Sequence, residues 1–371
     1  MSNPQRLVSL DFFRGLTIAG MILVNNPGSW GNVYAPLLHA GWHGWTPTDL
    51  IFPFFLFIVG VSIVLALSGK KERGESRKEI YKRVIRRTVL LFGLGLFLSG
   101  FPFFDLSIIR IPGVLQRIAV CYLISTIIFL HSSIRTQAIW TGAFMLVYWA
   151  LMDWVPVPEI GAGLYDKGAN FAAYMDSLLL KGHMWSATKT WDPEGVISTL
   201  PAISTTMLGM MTGHLLRRKM DPVEKATQML IWGNLLIVAG MFWNYVLPIN
   251  KSLWTSSYAV FMSGMAMVFL GISYYLIDVK KQQKFTRPFI VYGMNAITVF
   301  VLSGVAAKIL YLIKWNNAAG ETISLKGWIM DVFFMSWLSP INASLAFALT
   351  FVFVSYLAMF FLYKKNIFLK V

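Results

Sequence analysis

The chain has 371 residues, 56% of them hydrophobic and 13% charged, with a mean hydropathy of +0.61. Soluble domains carry about 45–50% apolar residues, so this composition excludes a soluble globular enzyme, and a disordered segment would need the opposite balance. The 32 Lys and Arg against 17 Asp and Glu give a formal charge of +15, yet so apolar a chain has too little polar surface for a nucleic-acid partner, and the excess calls for another cause.

In chain order, apolar runs bounded by polar clusters fall at 8–26, 49–68, 85–104, 113–131, 136–155, 197–216, 227–247, 254–277, 288–313 and 341–363. Each approaches the ~20 residues with which a helix crosses a bilayer. The fold expected is therefore all-α, a polytopic integral membrane protein of about ten transmembrane helices. No repeat, linker or low-complexity segment divides the sequence, so 1–371 reads as a single transmembrane domain. The first run is expected to stay as a helix, because Asp11 and Arg14 interrupt what a signal peptide keeps apolar and no small-x-small cleavage site precedes Pro27.

With the N-terminus in the cytoplasm, the cytoplasmic segments 69–87, 132–135, 217–226, 278–287 and 364–371 hold roughly 21 of the 32 basic residues. The opposite loops, 27–48, 156–196, 248–253 and 314–340, hold few. The net charge is thus a topology signal, with both termini cytoplasmic and the lipid bilayer as the partner. The lone cysteine, Cys121, lies in an apolar run and offers no disulfide framework.

Polar residues inside a membrane mark sites worth inspecting. Asp11 and Arg14, at i and i+3, can neutralise each other on one helix face. Asn25 and Asn26 end the first run before Pro27-Gly28, where an asparagine is either a cap or a neutral donor for an oxyanion. His39 and His43 follow in a Gly- and Trp-rich loop, but no third ligand or H-E-x-x-H pattern joins them, so no metal is expected. His39 with Asp49, at the start of the second run, is the better pair for catalysis, since a carboxylate fixes an imidazole's tautomer; a plain helix-start charge is the alternative reading of Asp49. Arg110-Ile111-Pro112-Gly113-Val114-Leu115-Gln116-Arg117 opens the fourth run and puts Gln116 and Arg117 at helix depth, where an arginine needs an anionic partner from protein or ligand. Asp192 and Glu194 precede the sixth run, suited either to the helix dipole or to a cationic sugar amine.

The runs Ser9–Leu16, His39–Pro53, Arg110–Arg117, Asp192–Gly195, Asn250–Tyr258 and Tyr292–Ile297, in that order across the chain, resemble the catalytic domain of the heparan-alpha-glucosaminide N-acetyltransferase family. The resemblance is to bacterial relatives, some labelled N-acetylglucosamine-related transporters, without the extracytoplasmic N-terminal domain of the animal enzyme, and implies the inner membrane as location. It implies transfer of an acetyl group from cytoplasmic acetyl-CoA to the amine of a glucosamine on the far side. It also implies His39, in a His-x-x-Trp-x-Gly setting with Trp42 and Gly44, as the active histidine, Asn25 as its companion, and a homodimer.

Glucosamine is substantially protonated near neutral pH, and an imidazole, with an ordinary pKa near 6.5, can take its proton. An Asn25 amide can hold the developing oxyanion. Alternatively His39 attacks first and carries the acetyl group. The candidate set is His39, Asn25 and Asp49 for catalysis; Arg110, Gln116, Arg117, Arg86 and Arg87 for acetyl-CoA; and Asp192, Glu194 and Trp42 for the acceptor. A secondary transporter of amino sugars is the rival class, and would favour paired broken helices in matching halves.

Overall fold

The computed structural model describes residues 7–316 and 320–368. Its helices are α1 (Val8–Asn25), α2 (Ile51–Glu72), α3 (Arg77–Gly100), α4 (Val114–His131), α5 (Ile134–Trp154), α6 (Phe171–Leu179), α7 (Thr199–Arg217), α8 (Pro222–Trp243), α9 (Ser256–Tyr274), α10 (Arg287–Met294), α11 (Ala296–Leu312), α12 (Leu325–Met330) and α13 (Pro340–Lys364). A small antiparallel hairpin, β1 (Lys314–Asn316) and β2 (Thr322–Ser324), pairs Lys314 with Ser324. Single-turn 3₁₀ segments lie at Ala35–Leu37 and Pro47–Leu50.

The protein is a helical membrane protein, but the expected ten spans are corrected. Helices occupy all ten predicted runs, yet six among the described residues are long and apolar enough to cross a bilayer, or seven if a bent pair counts as one. The reasons are local. In α3 the arginines at 83, 86 and 87 reach into the apolar stretch, and α7 is rich in Thr, Gly and Ser. The run 288–313 is no straight span, because α10 and α11 meet at 83°. Asn295 stands at that break with φ −124° and ψ 37°, its Nδ2 donating to the Ile367 carbonyl at 3.1 Å. An asparagine side chain offers its backbone alternatives to the helical ladder. The predicted loop 156–196 also contains a helix, α6, started by Asn170, whose side chain accepts from Ala173 N at 2.9 Å.

Two compact units make up the fold. Of the described residues, the first takes 7–39, Thr46–Ile51 and those from Lys281 to residue 368; the second takes Ala40–Trp45 and Phe52–Lys280. In the first, α1 and α10 approach until a Cβ on Gly15 would lie 1.7 Å from the Phe289 carbonyl oxygen, so only glycine permits the contact. In the second, Gly60 of α2 and Gly209 of α7 serve each other's helix the same way, at 1.8 Å from Thr206 O and 2.0 Å from Phe57 O. By contrast α13 and α8 leave most of their apolar surface uncovered, with Phe353, Val354, Phe361, Leu235 and Phe242 exposed. Such faces suit lipid rather than water.

Candidate functional site

In the first unit the segment after α1 is pinned before it reaches His39. Gly28 N donates to Ser344 O at 3.1 Å and Ser29 N to Ser344 Oγ at 3.0 Å, both on α13. Lys326, expected in an outer loop, is instead buried: its Nζ donates to the Pro27 carbonyl at 2.7 Å and to the Tyr311 hydroxyl at 3.1 Å. The chain then turns through Ala35–Leu37 and is stapled to the next turn, since Thr48 Oγ1 donates to Pro36 O at 3.1 Å and Thr46 Oγ1 lies 2.5 Å from Leu38 O.

That next turn reads Thr46-Pro47-Thr48-Asp49, an N-cap, a proline at the first position and an acid at the third. Asp49 Oδ2 accepts from Thr46 N at 3.0 Å, which closes the capping box. Its other oxygen, Oδ1, lies 2.6 Å from His39 Nδ1. A carboxylate only accepts, so Nδ1 carries the proton and exchange with a substrate falls to Nε2. Asp49 is buried, while the His39 side chain is 48% exposed. Both readings of Asp49, helix start and histidine partner, therefore hold in one side chain. Asn25 is the last residue of α1 and is exposed, whereas Asn26 is buried and its Nδ2 donates to Ile22 O at 2.8 Å. Asn26 is the local cap. The Asp11–Arg14 pair forms at 3.0 Å.

In the second unit Trp42 Nε1 donates to Tyr165 O at 2.8 Å, and its ring meets Trp191 edge-on at 5.2 Å. His43 Nδ1 lies 3.5 Å from Asn250 Nδ2. Arg110 makes a forked contact with Asp192, Nε to Oδ2 at 2.8 Å and Nη2 to Oδ1 at 2.6 Å, and Nη2 also reaches Glu194 Oε2 at 2.5 Å. Burial works against the guanidinium's charge, but the two carboxylates outweigh it and hold its pKa above the ordinary arginine value. Asp192 Oδ2 further accepts from Trp185 N at 2.8 Å and Oδ1 from Glu194 N at 2.9 Å. These acceptor and donor candidates are thus bound to one another. Arg87 lies 4.7 Å from the Tyr122 ring centroid, and Arg86 is exposed.

Sequence reasoning missed Asp176. It sits on the buried face of α6 with Ala172 and Ala173, and accepts from Asp192 N at 3.1 Å and Val196 N at 2.9 Å. Burial raises its pKa to about 6, the two backbone N–H groups pulling the other way. A Cβ on Gly195 would lie 2.0 Å from its Oδ2. The signal was available: an acid at i+3 and i+4 from alanines on an otherwise apolar face. Among the described residues no three His, Cys, Asp or Glu side chains gather as a metal set.

Residues 6–242 match the family described as Heparan-alpha-glucosaminide N-acetyltransferase, catalytic. The chain is 30% identical over 355 residues to the Mus musculus protein named Heparan-alpha-glucosaminide N-acetyltransferase, covering 81% of this chain and 53% of that one. With the Homo sapiens protein of the same name it shares 29% identity over 353 residues, covering 80% and 52%. The chain spans about half the length of the curated relatives it matches.

Proposed function

Because the chain belongs to the heparan-alpha-glucosaminide N-acetyltransferase family, whose catalytic region residues 6–242 match, we propose that it is a membrane acetyltransferase. An acetyl group leaves cytoplasmic acetyl-CoA and ends on the amine of glucosamine, or of a glycan ending in glucosamine, on the other side of the bilayer. The compartment is a bacterial inner membrane with both termini cytoplasmic, a reading supported by the basic segments counted above.

The observation that carries the chemistry is the 2.6 Å contact between His39 Nδ1 and the buried Asp49 carboxylate. The carboxylate holds the imidazole with Nε2 as its basic nitrogen. Nε2 takes the proton that the sugar amine must lose. The amine nitrogen then bonds to the thioester carbon, the carbon–sulfur bond breaks, the proton on Nε2 passes to the CoA sulfur, and the nitrogen's second proton leaves to solvent. The exposed Asn25 amide is the donor for the oxyanion formed between those steps. Arg86 and Arg87, on the basic side, attract the CoA phosphates.

The test is purified chain with labelled acetyl-CoA and glucosamine. Labelled N-acetylglucosamine is the expected product. Protein in vesicles that accumulates glucosamine unmodified would put the transporter reading first. Label retained on wild-type protein but not on His39→Ala, without acceptor, would show that His39 Nε2 itself displaces CoA before the amine attacks.

A further inference from the structure

Arg117, one turn into α4, is 2% exposed. Its Nη2 donates to Gly195 O at 3.1 Å and to Ser198 Oγ, and its guanidinium lies 5.2 Å from the Trp254 ring centroid. Its Nε and Nη1 have no acceptor among the described residues, and neither has Nε2 of the neighbouring Gln116, which is 3% exposed. A buried donor left unmade costs about 1–3 kcal/mol, more when charged, so a fold keeps such donors where something else brings the oxygen.

Both side chains line a cavity of about 220 Å³ together with Phe92, Glu194 and Thr199. Two glycines make the room: a Cβ at Gly95 would fall 2.2 Å from Gln116 Oε1, and one at Gly113 would fall 2.6 Å from it. Carboxylates outnumber cations around it. Arg110 and Arg117 face Asp192, Glu194 and Asp176, so the cavity has a surplus of N–H donors without a surplus of positive charge. That combination selects uncharged oxygens over phosphate. Sugar hydroxyls fit it well, because each can accept from Arg117 or Gln116 and donate to the Glu194 carboxylate.

We propose that this cavity at the start of α4 is a subsite for the hydroxyl-bearing ring of the acceptor sugar. The proposal rests on the acetyltransferase reading for the identity of the ligand, and on the few basic residues in the flanking 156–196 stretch for the side from which it arrives. It moves Gln116 and Arg117 out of the acetyl-CoA set in which their polarity at helix depth first placed them.

The test uses the full chain in detergent and three measurements: glucosamine KM, acetyl-CoA Kd, and direct binding of glucose, which has no amine to acetylate. Gln116→Leu keeps the shape and removes the donor, and Gly113→Ala narrows the cavity; Arg117→Lys is the third variant. Each is expected to raise glucosamine KM and weaken glucose binding about tenfold, the size of one lost hydrogen bond, with acetyl-CoA Kd unchanged within about twofold. A rise in acetyl-CoA Kd at constant glucosamine KM would overturn it in favour of the donor's amide carbonyls. No change in either would also overturn it. Should wild-type protein fail to acetylate glucosamine yet bind glucose, with Gln116→Leu losing that binding, the subsite stands and the acetyltransferase reading falls.

Discussion

Two polar regions of this molecule handle charge in opposite ways. His39 and Asp49 are ten residues apart, one half-exposed and the other buried, joined by a single 2.6 Å contact. The cluster of Arg110, Asp192 and Glu194 spans 82 to 84 residues of sequence and is closed by a forked contact, with the backbone N–H groups of Trp185 and Glu194 also donating to Asp192. The cluster holds more charge, but its charges are committed to one another. In the pair the Asp49 carboxylate is buried and the His39 ring is half-exposed, and proton exchange with a substrate requires such access. Charge density marks a cluster whose partners hold one another in the second unit, and under the proposed mechanism the asymmetry of exposure is what lets His39 exchange a proton.

The largest effect expected tests the exposed end of that contrast. His39→Ala should lower acetylation about 10²–10⁴-fold while acetyl-CoA binding and thermal stability hold. Asp49→Asn should fall in the same range, since an amide cannot fix the tautomer, whereas His43→Ala, whose ring contacts Asn250 at 3.5 Å and the Trp42 ring but no carboxylate in either contact, should be mild. Near-wild-type rates in His39→Ala protein would show that His39 is not the base.

The committed cluster should answer in stability. Arg110→Ala leaves two carboxylates buried without their cation, which costs about 3–5 kcal/mol when one partner of a buried pair is removed. Thermal unfolding in detergent measures it. Arg110→Lys should recover part of the loss, because an ammonium cannot reproduce the fork to Asp192. An Arg110→Ala protein that unfolds with the wild type but loses turnover would place the cluster with the chemistry instead.

Asn25→Ala should cost about 10²–10³-fold in kcat, the loss seen when one oxyanion donor is removed, with KM for glucosamine little changed. Asn26→Ala should show the reverse pattern, a modest loss of stability of about 0.5–1.5 kcal/mol from its bond to Ile22 O. That pair of outcomes would separate the proposed chemical role of Asn25 from the capping role of Asn26.

What was legible in the sequence was local. His39, Asp49 and the Thr46 cap lie within one short stretch whose spacing states its own geometry. Arg110 and Asp192 could be recognised as residues a membrane does not hold without partners, yet a separation of 82 residues hid that they are each other's partners. Lys326 looked like loop charge because nothing in its neighbourhood announces that the Pro27 carbonyl, 299 residues away, receives it. The span count failed for a similar reason. Apolar length shows in composition, but the 83° bend at Asn295, where the side chain reaches Ile367 72 residues away, does not.

The smallest effect concerns pH and the acid that links the cluster to α6. Asp176, raised to about 6 by burial, keeps a proton in the folded protein that the unfolded chain, with an ordinary aspartate, has released by then. A group whose folded pKa is raised contributes stability that is complete below its unfolded pKa and is lost as pH rises through the folded one. The window is therefore about pH 4 to 6. Asp176→Asn removes the titration and one of the two acceptors that hold Asp192 N and Val196 N. The variant should be less stable than wild type throughout, and the gap in melting temperature should be widest near pH 4 and narrow as pH rises past 6. Taking the difference between the two proteins cancels the other carboxylates, which titrate in both. A gap that stays constant across that window would mean Asp176 is ionised at every pH, and the loop into α7 would then be held by a charge and not by a proton.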